Sequence, residues 1–149
     1  MAAININIAQ TLAEVKSIFD QMRDREYLLR PLAIETIANI KERIHEQGRA
    51  SDGGKIGQYS SGYMRDREKN KRGKSTEVIV SLTRQLENDY QVVGTVRGYA
   101  IGFGNVLNYN KSQWVEKNQG KIIFNTTAAE KEYILDRAEE LVNDAINGV

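Results

Sequence analysis

Tyr90–Phe103 reads YQVVGTVRGYAIGF. Two runs rich in β-branched and aromatic residues, Tyr90–Val96 and Tyr99–Phe103, flank Arg97-Gly98, a dipeptide suited to a tight turn. The spacing predicts an antiparallel hairpin. Just upstream, Leu82 and Leu86 sit four apart in SLTRQLEND, as in a short helical turn, and Thr76–Val80 (TEVIV) is a further β-rich run. Downstream, Val106–Asn118 spaces Val106, Leu107, Tyr109, Trp114 and Val115 unevenly, which suits a short helix with Trp114 as a core anchor beneath it. Lys121–Phe124 (KIIF) reads as a last short strand.

Helices surround this β-rich region. Thr127 followed three residues later by Glu130 is a capping box. Ile134, Leu135, Ala138, Leu141, Val142, Ala145 and Ile146 then form a wide apolar stripe, suited to packing on a sheet, before Asn147-Gly148. At the other end Leu12, Val15, Phe19 and Met22 make a stripe behind a Thr11/Glu14 capping box. Pro31, the only proline, suits the first turn of a second helix, whose stripe is Ala33, Ile37, Ile40 and Ile44, with Gly48 as its C-terminal cap. Ile4, Ile6 and Ile8 alternate with asparagines, as in a short strand or an arm that pairs with a neighbour's sheet edge.

The expected fold class is α+β: a small antiparallel sheet packed by two N-terminal helices and one C-terminal helix, with a long extended loop. One domain covers 1–149, with a helical part at 1–48, the loop at 49–75, and the sheet and last helix at 76–149. The loop, RASDGGKIGQYSSGYMRDREKNKRGKS, holds few large aliphatic side chains and several glycines. A structureless stretch of that length in a compact domain is usually functional or disordered. Because it offers little core, removing Ser51–Lys74 is expected to leave the domain folded.

Charge is unevenly placed. Residues 51–75 hold seven basic and three acidic side chains, net +4, whereas 76–149 hold seven basic and ten acidic, net −3. The loop residues Arg49, Lys55, Tyr59, Tyr63, Met64, Arg65, Arg67, Lys69, Lys71, Arg72 and Lys74 are a candidate assembly interface. Asp136, Glu139, Glu140 and Asp144 on the last helix are its candidate acidic counterpart. Each set also reads as a solvated surface.

The chemistry of the chain argues against an enzyme. There is no cysteine, which excludes thiol catalysis, disulfides and cysteine-ligated metal. His45 is the only histidine and sits near a helix end, where its charged form would suit the dipole. Gly98, Gly102 and Gly104 lack the lysine of a phosphate loop and suit tight turns instead. No serine has a nucleophile-elbow context. No catalytic, cofactor or metal site is expected. The N-terminus lacks the pattern of a signal peptide, and no apolar run approaches a membrane span. Six basic residues in MRDREKNKRGK, with Tyr59 and Tyr63 upstream for stacking, permit an alternative: a small nucleic-acid-binding module using 65–74.

The order of segments from Arg43 onward resembles the tail-completion and virion-morphogenesis proteins of tailed bacteriophages. The matching pieces are RIHEQGRASDGGKIGQYS, SLTRQLENDYQV, GYAIGFGN and KIIFNTTAAEKEYIL. Where many members carry Thr-Gly before the first hairpin strand, this chain has Thr83-Arg84. The resemblance implies a non-enzymatic structural subunit of the neck, the head–tail connection between portal or adaptor and tail. It implies a homo-oligomeric ring, hexameric or dodecameric, in the virion and in the host cytoplasm during assembly. Its partners would be portal, adaptor and tail proteins, with non-specific contact to DNA in the channel and none to a membrane. The 49–75 loop would then be an arm ordered by a neighbour. The acidic helix would line the channel or face a basic neighbour.

Overall fold

The computed structural model describes residues 13, 16, 17, 20, 25–81, 84–96 and 98–148. The helix expected over Leu12–Met22 and the strand at Ile4–Ile8 fall outside these residues, apart from the isolated positions. Among them the elements run α1 (Arg25–Lys41), a π-helical turn (Glu42–Glu46), α2 (Ser61–Lys69), α3 (Gln85–Asn88), β1 (Tyr90–Thr95), β2 (Gly98–Phe103), α4 (Val106–Gln119) and α5 (Ala128–Asn147). The class is α+β.

The hairpin forms as its sequence predicts. β1 and β2 pair antiparallel, with Tyr90 opposite Phe103, Val92 opposite Ile101 and Thr95 opposite Gly98. That register makes Gly98, expected in the turn with Arg97, the first residue of the second strand. Position 97 itself is outside the described residues. The other β-rich runs do not join the sheet. Thr76–Val80 contributes one isolated bridge, Glu77 to Gln58, and Lys121–Phe124 is irregular. Its backbone is claimed from the side: the Ile123 and Phe124 N–H groups both donate to the Glu116 carboxylate, at 2.7 and 3.0 Å. Ile123 is fully buried by this arrangement.

α1 begins at Arg25 rather than at Pro31, which lies inside it. Proline there forfeits one backbone hydrogen bond, and burial along the same helix offsets the loss. Leu32, Thr36, Ile40 and Ile44 are buried at spacings of four, one step round from Ala33 and Ile37, which are only half-buried. The buried Thr36 hydroxyl is satisfied by the Leu32 carbonyl at 2.6 Å. α1 packs on both strands, and α5 takes α1 as its principal neighbour, not the sheet. The capping box of α5 is present, with Thr127 and Glu130 exchanging both hydrogen bonds.

Residues 49–75 are not an extended loop. Arg49 bridges Lys55, and the Ile56 N–H donates to the Gly48 carbonyl at 2.9 Å. The Tyr59 and Val78 N–H groups pair with the carbonyls of Thr76 and Gly57. Between the two sides of this second ladder Ser60 caps α2 by accepting from the Tyr63 N–H. The segment thus forms one short antiparallel ladder that runs directly into a second, whose two sides are connected through α2. Gly48 makes the first turn possible: its φ is +63°, and a Cβ there would stand 2.7 Å from the Val78 carbonyl oxygen. Ala50 and Ile56 then join Ile40, Ile44, Val78 and Ile123 in the hydrophobic core. The expectation that Ser51–Lys74 offers little to the core is therefore wrong.

Candidate functional site

The basic segment is built around one of its own cations. Arg67 is 1% exposed. Its guanidinium lies 4.7 Å from the Tyr59 ring centroid and 5.9 Å from that of Tyr63, a cation–π arrangement. It donates to the carbonyls of Ser81 (2.9 Å) and Arg72 (2.6 Å), pinning α2 and the turn after it to the body. Tyr59 is held in turn: its hydroxyl accepts from the Ile79 N–H, and burial raises its pKa above the usual 10.0. Tyr63, at 4.9 Å between ring centroids, completes the stack.

Of the candidate interface residues, Arg67 is thus interior, and Tyr59, Tyr63 and Met64 are half-buried. Lys55 is paired with Glu77, Arg72 lies 3.7 Å from Asp66, and Arg49 donates to the Gly53 carbonyl. Arg65, Lys69, Lys71 and Lys74 are exposed, the last three around the turn that ends α2. Among the acidic candidates Asp136, Glu139 and Asp144 are exposed, and Glu140 accepts from Arg137 at 2.8 Å while Arg137 also binds Glu35. The basic and acidic sets are on different parts of the molecule and do not meet within one chain.

The face that sequence reasoning missed is on α4. Trp114, expected as a core anchor, is 65% exposed, and Val106, Leu107 and Tyr109 are exposed with it. Among the residues α4 turns inward only Val115, packed on the edge of the core, is apolar, and the fully buried ones are polar. Asn108 donates to Asp89 at 2.9 Å, Ser112 donates to the Tyr109 carbonyl at 2.7 Å, and Glu116 holds the 123–124 backbone. The uneven spacing of its apolar residues was the available signal: of them only Val115 faces the core. Beside Trp114 runs a groove of about 640 Å³, walled by Tyr59, Tyr63, Val80, Leu86 and Val115.

His45 does not serve a helix dipole as a cation. It is buried, with Nε2 3.2 Å from the Tyr90 hydroxyl and Nδ1 3.9 Å from Glu87. Burial drives its pKa below 6.5 although Glu87 pulls the other way. The unfolded chain therefore binds this proton more tightly than the folded one. His45 supports folding fully above pH 6.5, and the support is lost as pH falls from there through the lower folded-state value. His45→Gln is expected to flatten the fall in urea midpoint across this acidic range, leaving only the carboxylate-driven part; an unchanged slope would exclude His45 as its source.

Among the described residues no group of three or more histidine and carboxylate side chains is gathered to hold a metal ion, and no helix is long and apolar enough to cross a membrane. No protein-family model, curated protein or solved structure matches this chain.

Proposed function

We propose that the chain is a structural subunit of a tailed-bacteriophage neck, forming a ring that joins portal or adaptor to tail. The observation that carries the assembly reading is α4, which turns Asn108 and Ser112 inward and Leu107 and Trp114 to water. Trp114 also walls an open groove together with Tyr59, Tyr63, Val80 and Leu86, and exposed apolar surface of this kind marks interaction sites. Two features support the neck assignment: the order of segments from Arg43 onward, and the backbone at Arg84. Arg84 stands where many members of that family carry glycine, and its φ of +57° is a conformation that favours glycine. On this reading the protein works by burial and shape, without catalysis or cofactor. Arg65, Lys69, Lys71 and Lys74 would meet a charged neighbour or, non-specifically, the phosphates of DNA in the channel.

Native mass spectrometry of the purified chain tests the reading. A single closed species of six or twelve copies is expected, and a strict monomer at every concentration would overturn it. Lysates lacking the chain are expected to accumulate unjoined heads and tails.

A further inference from the structure

The hairpin has an open edge with a groove beside it. Among the described residues β2 pairs with β1 alone, and no backbone hydrogen bond from a third segment reaches either strand. Such an edge presents a row of unpaired N–H and C=O groups, a template for a further strand. A groove of about 620 Å³ follows β2 on the side away from β1: five of the six β2 residues line it, and of β1 only Tyr90 does. Its floor is α1, through the buried Leu32, Thr36 and Ile40, and its far wall is α4 with the 124–126 strip. Tyr99, Ile101 and Phe103, alternate residues of β2, are only half-buried, so this side of the sheet is incompletely covered. Among the described residues no charged side chain lines the groove; its polar groups are hydroxyls and amides, such as those of Thr36, Ser112, Gln113 and Asn125.

A segment that matches this lining lies in the same sequence. Positions 1–13 carry no charged side chain, in a chain that is 28% charged, and Ile4, Ile6 and Ile8 alternate with Asn5 and Asn7. As a strand, such a run sets its isoleucines on one face and its amides on the other. Five residues span about 17 Å, within the roughly 20 Å of a six-residue strand such as β2. We propose that the Ile4–Ile8 run of one copy adds to the edge of β2 in the next as a third strand, its isoleucines turned to α1 and its asparagines to water. Main-chain hydrogen bonds would supply affinity and the alternate side chains specificity. The spacer between the run and α1 favours a neighbour over the run's own groove. Leu29, one turn into α1, already stands at the groove, its Cδ1 3.5 Å from where a Cβ on Gly98 would lie. Ala13, Lys16, Ser17 and Asp20 are helical and exposed, and eight residues of helix hold their ends about 12 Å apart. A stiff spacer rooted at the groove carries the run away from it. The chain from 9 to 24 spans about 24 Å when helical and about 50 Å when extended, against a radius of gyration of about 15 Å for a domain of this length, so an adjoining subunit is within reach. The exchange is heterologous: each copy gives one run and offers one groove, and repetition makes a ring or a filament. Its closure into a ring rests on the neck reading; the match of run to groove does not.

The absence of cysteine makes the test direct. Asn5→Cys places a thiol on the run, and Gln113→Cys places one on the exposed rim of the groove. With both on one chain, a short bis-maleimide is expected to link copy to copy, giving a ladder of covalent multimers on a denaturing gel, and neither variant alone should link. Linkage confined within single chains would mean that the run fills its own groove, and would overturn the proposal. Ile6→Asp sets a carboxylate against the apolar floor and is expected to weaken association at least about tenfold with an unchanged circular dichroism spectrum, whereas Ile6→Val should leave association intact. If the wild-type chain assembles, the double variant gives no ladder and Ile6→Asp leaves the native mass unaltered, the strand exchange is wrong and the ring reading survives. If the wild-type chain stays monomeric, the ring reading fails and the exchange with it.

Discussion

Excising Ser51–Lys74 is expected to unfold the chain. The cut removes Ile56, which is 2% exposed among Ile40, Ile44, Val78 and Ile123. Emptying a buried isoleucine site costs about 2–5 kcal/mol when only the side chain is truncated. Here the backbone leaves as well, and the Gly48 and Thr76 carbonyls and the Val78 N–H lose their ladder partners Ile56, Tyr59 and Gly57. Tyr59 and Arg67 go with it, so the Ser81 carbonyl loses its guanidinium donor and the Ile79 N–H its phenolic acceptor. Against a typical total stability of about 5–15 kcal/mol, these losses leave no folded state. Thermal unfolding followed by circular dichroism should show no cooperative transition in the deletion. A sharp transition near the wild-type midpoint would show the segment to be an appendage. Circular permutation with new termini in the exposed turn at Lys69–Lys71 offers a control, because it cuts the chain there and keeps every core contact of the segment.

That result also marks where the sequence could be read and where it could not. That a hairpin forms was legible because its signal is local, β-branched and aromatic runs around a short turn; its register was not, since Gly98, read as a turn residue, pairs with Thr95. The start of α5 was legible because Thr127 and Glu130 satisfy each other within one turn. The 49–75 segment was not, because its order comes from distant partners. One isoleucine reaches the core. One arginine, a residue that reads as surface, is buried by two tyrosines and two carbonyls. Trp114 failed for the converse reason: a large aromatic side chain is taken as core by default, and only the geometry shows that Asn108 and Ser112 occupy the inward positions of α4. The candidate basic and acidic surfaces were legible as charge, since Lys69, Lys71, Lys74, Asp136 and Glu139 are all exposed. What the charge pattern did not reveal is that Leu107 and Trp114 on α4 and Leu135 on α5 are exposed as well, because that depends on which sides of these helices the rest of the chain covers.

Arg43→Ala is expected to cost about 3–5 kcal/mol, the range for stranding one partner of a buried ion pair. Arg43 is 6% exposed and joins four pieces of chain through one planar group. Its Nε donates to Glu130 at 2.7 Å, one terminal nitrogen donates to the carbonyls of Arg49 and Ile123, and the other donates to that of Asn125. The guanidinium thus ties the start of the π-helical turn to the first ladder, to the irregular 121–125 strip and to the N-terminus of α5. Alanine would leave three carbonyls short of a donor and the Glu130 carboxylate buried beside only its capping bonds. Arg43→Lys keeps the charge, but an ammonium lacks the fork that reaches Glu130 and the three carbonyls together, so an intermediate loss is expected. Replacing both partners separates charge from packing. Arg43→Met with Glu130→Gln strands no ion and should lose less than Arg43→Ala does alone, a non-additivity readable from urea midpoints at neutral pH. An Arg43→Ala variant within about 1 kcal/mol of the wild type, as for an exposed pair, would show that water reaches this site and that the four segments are held by the apolar core alone.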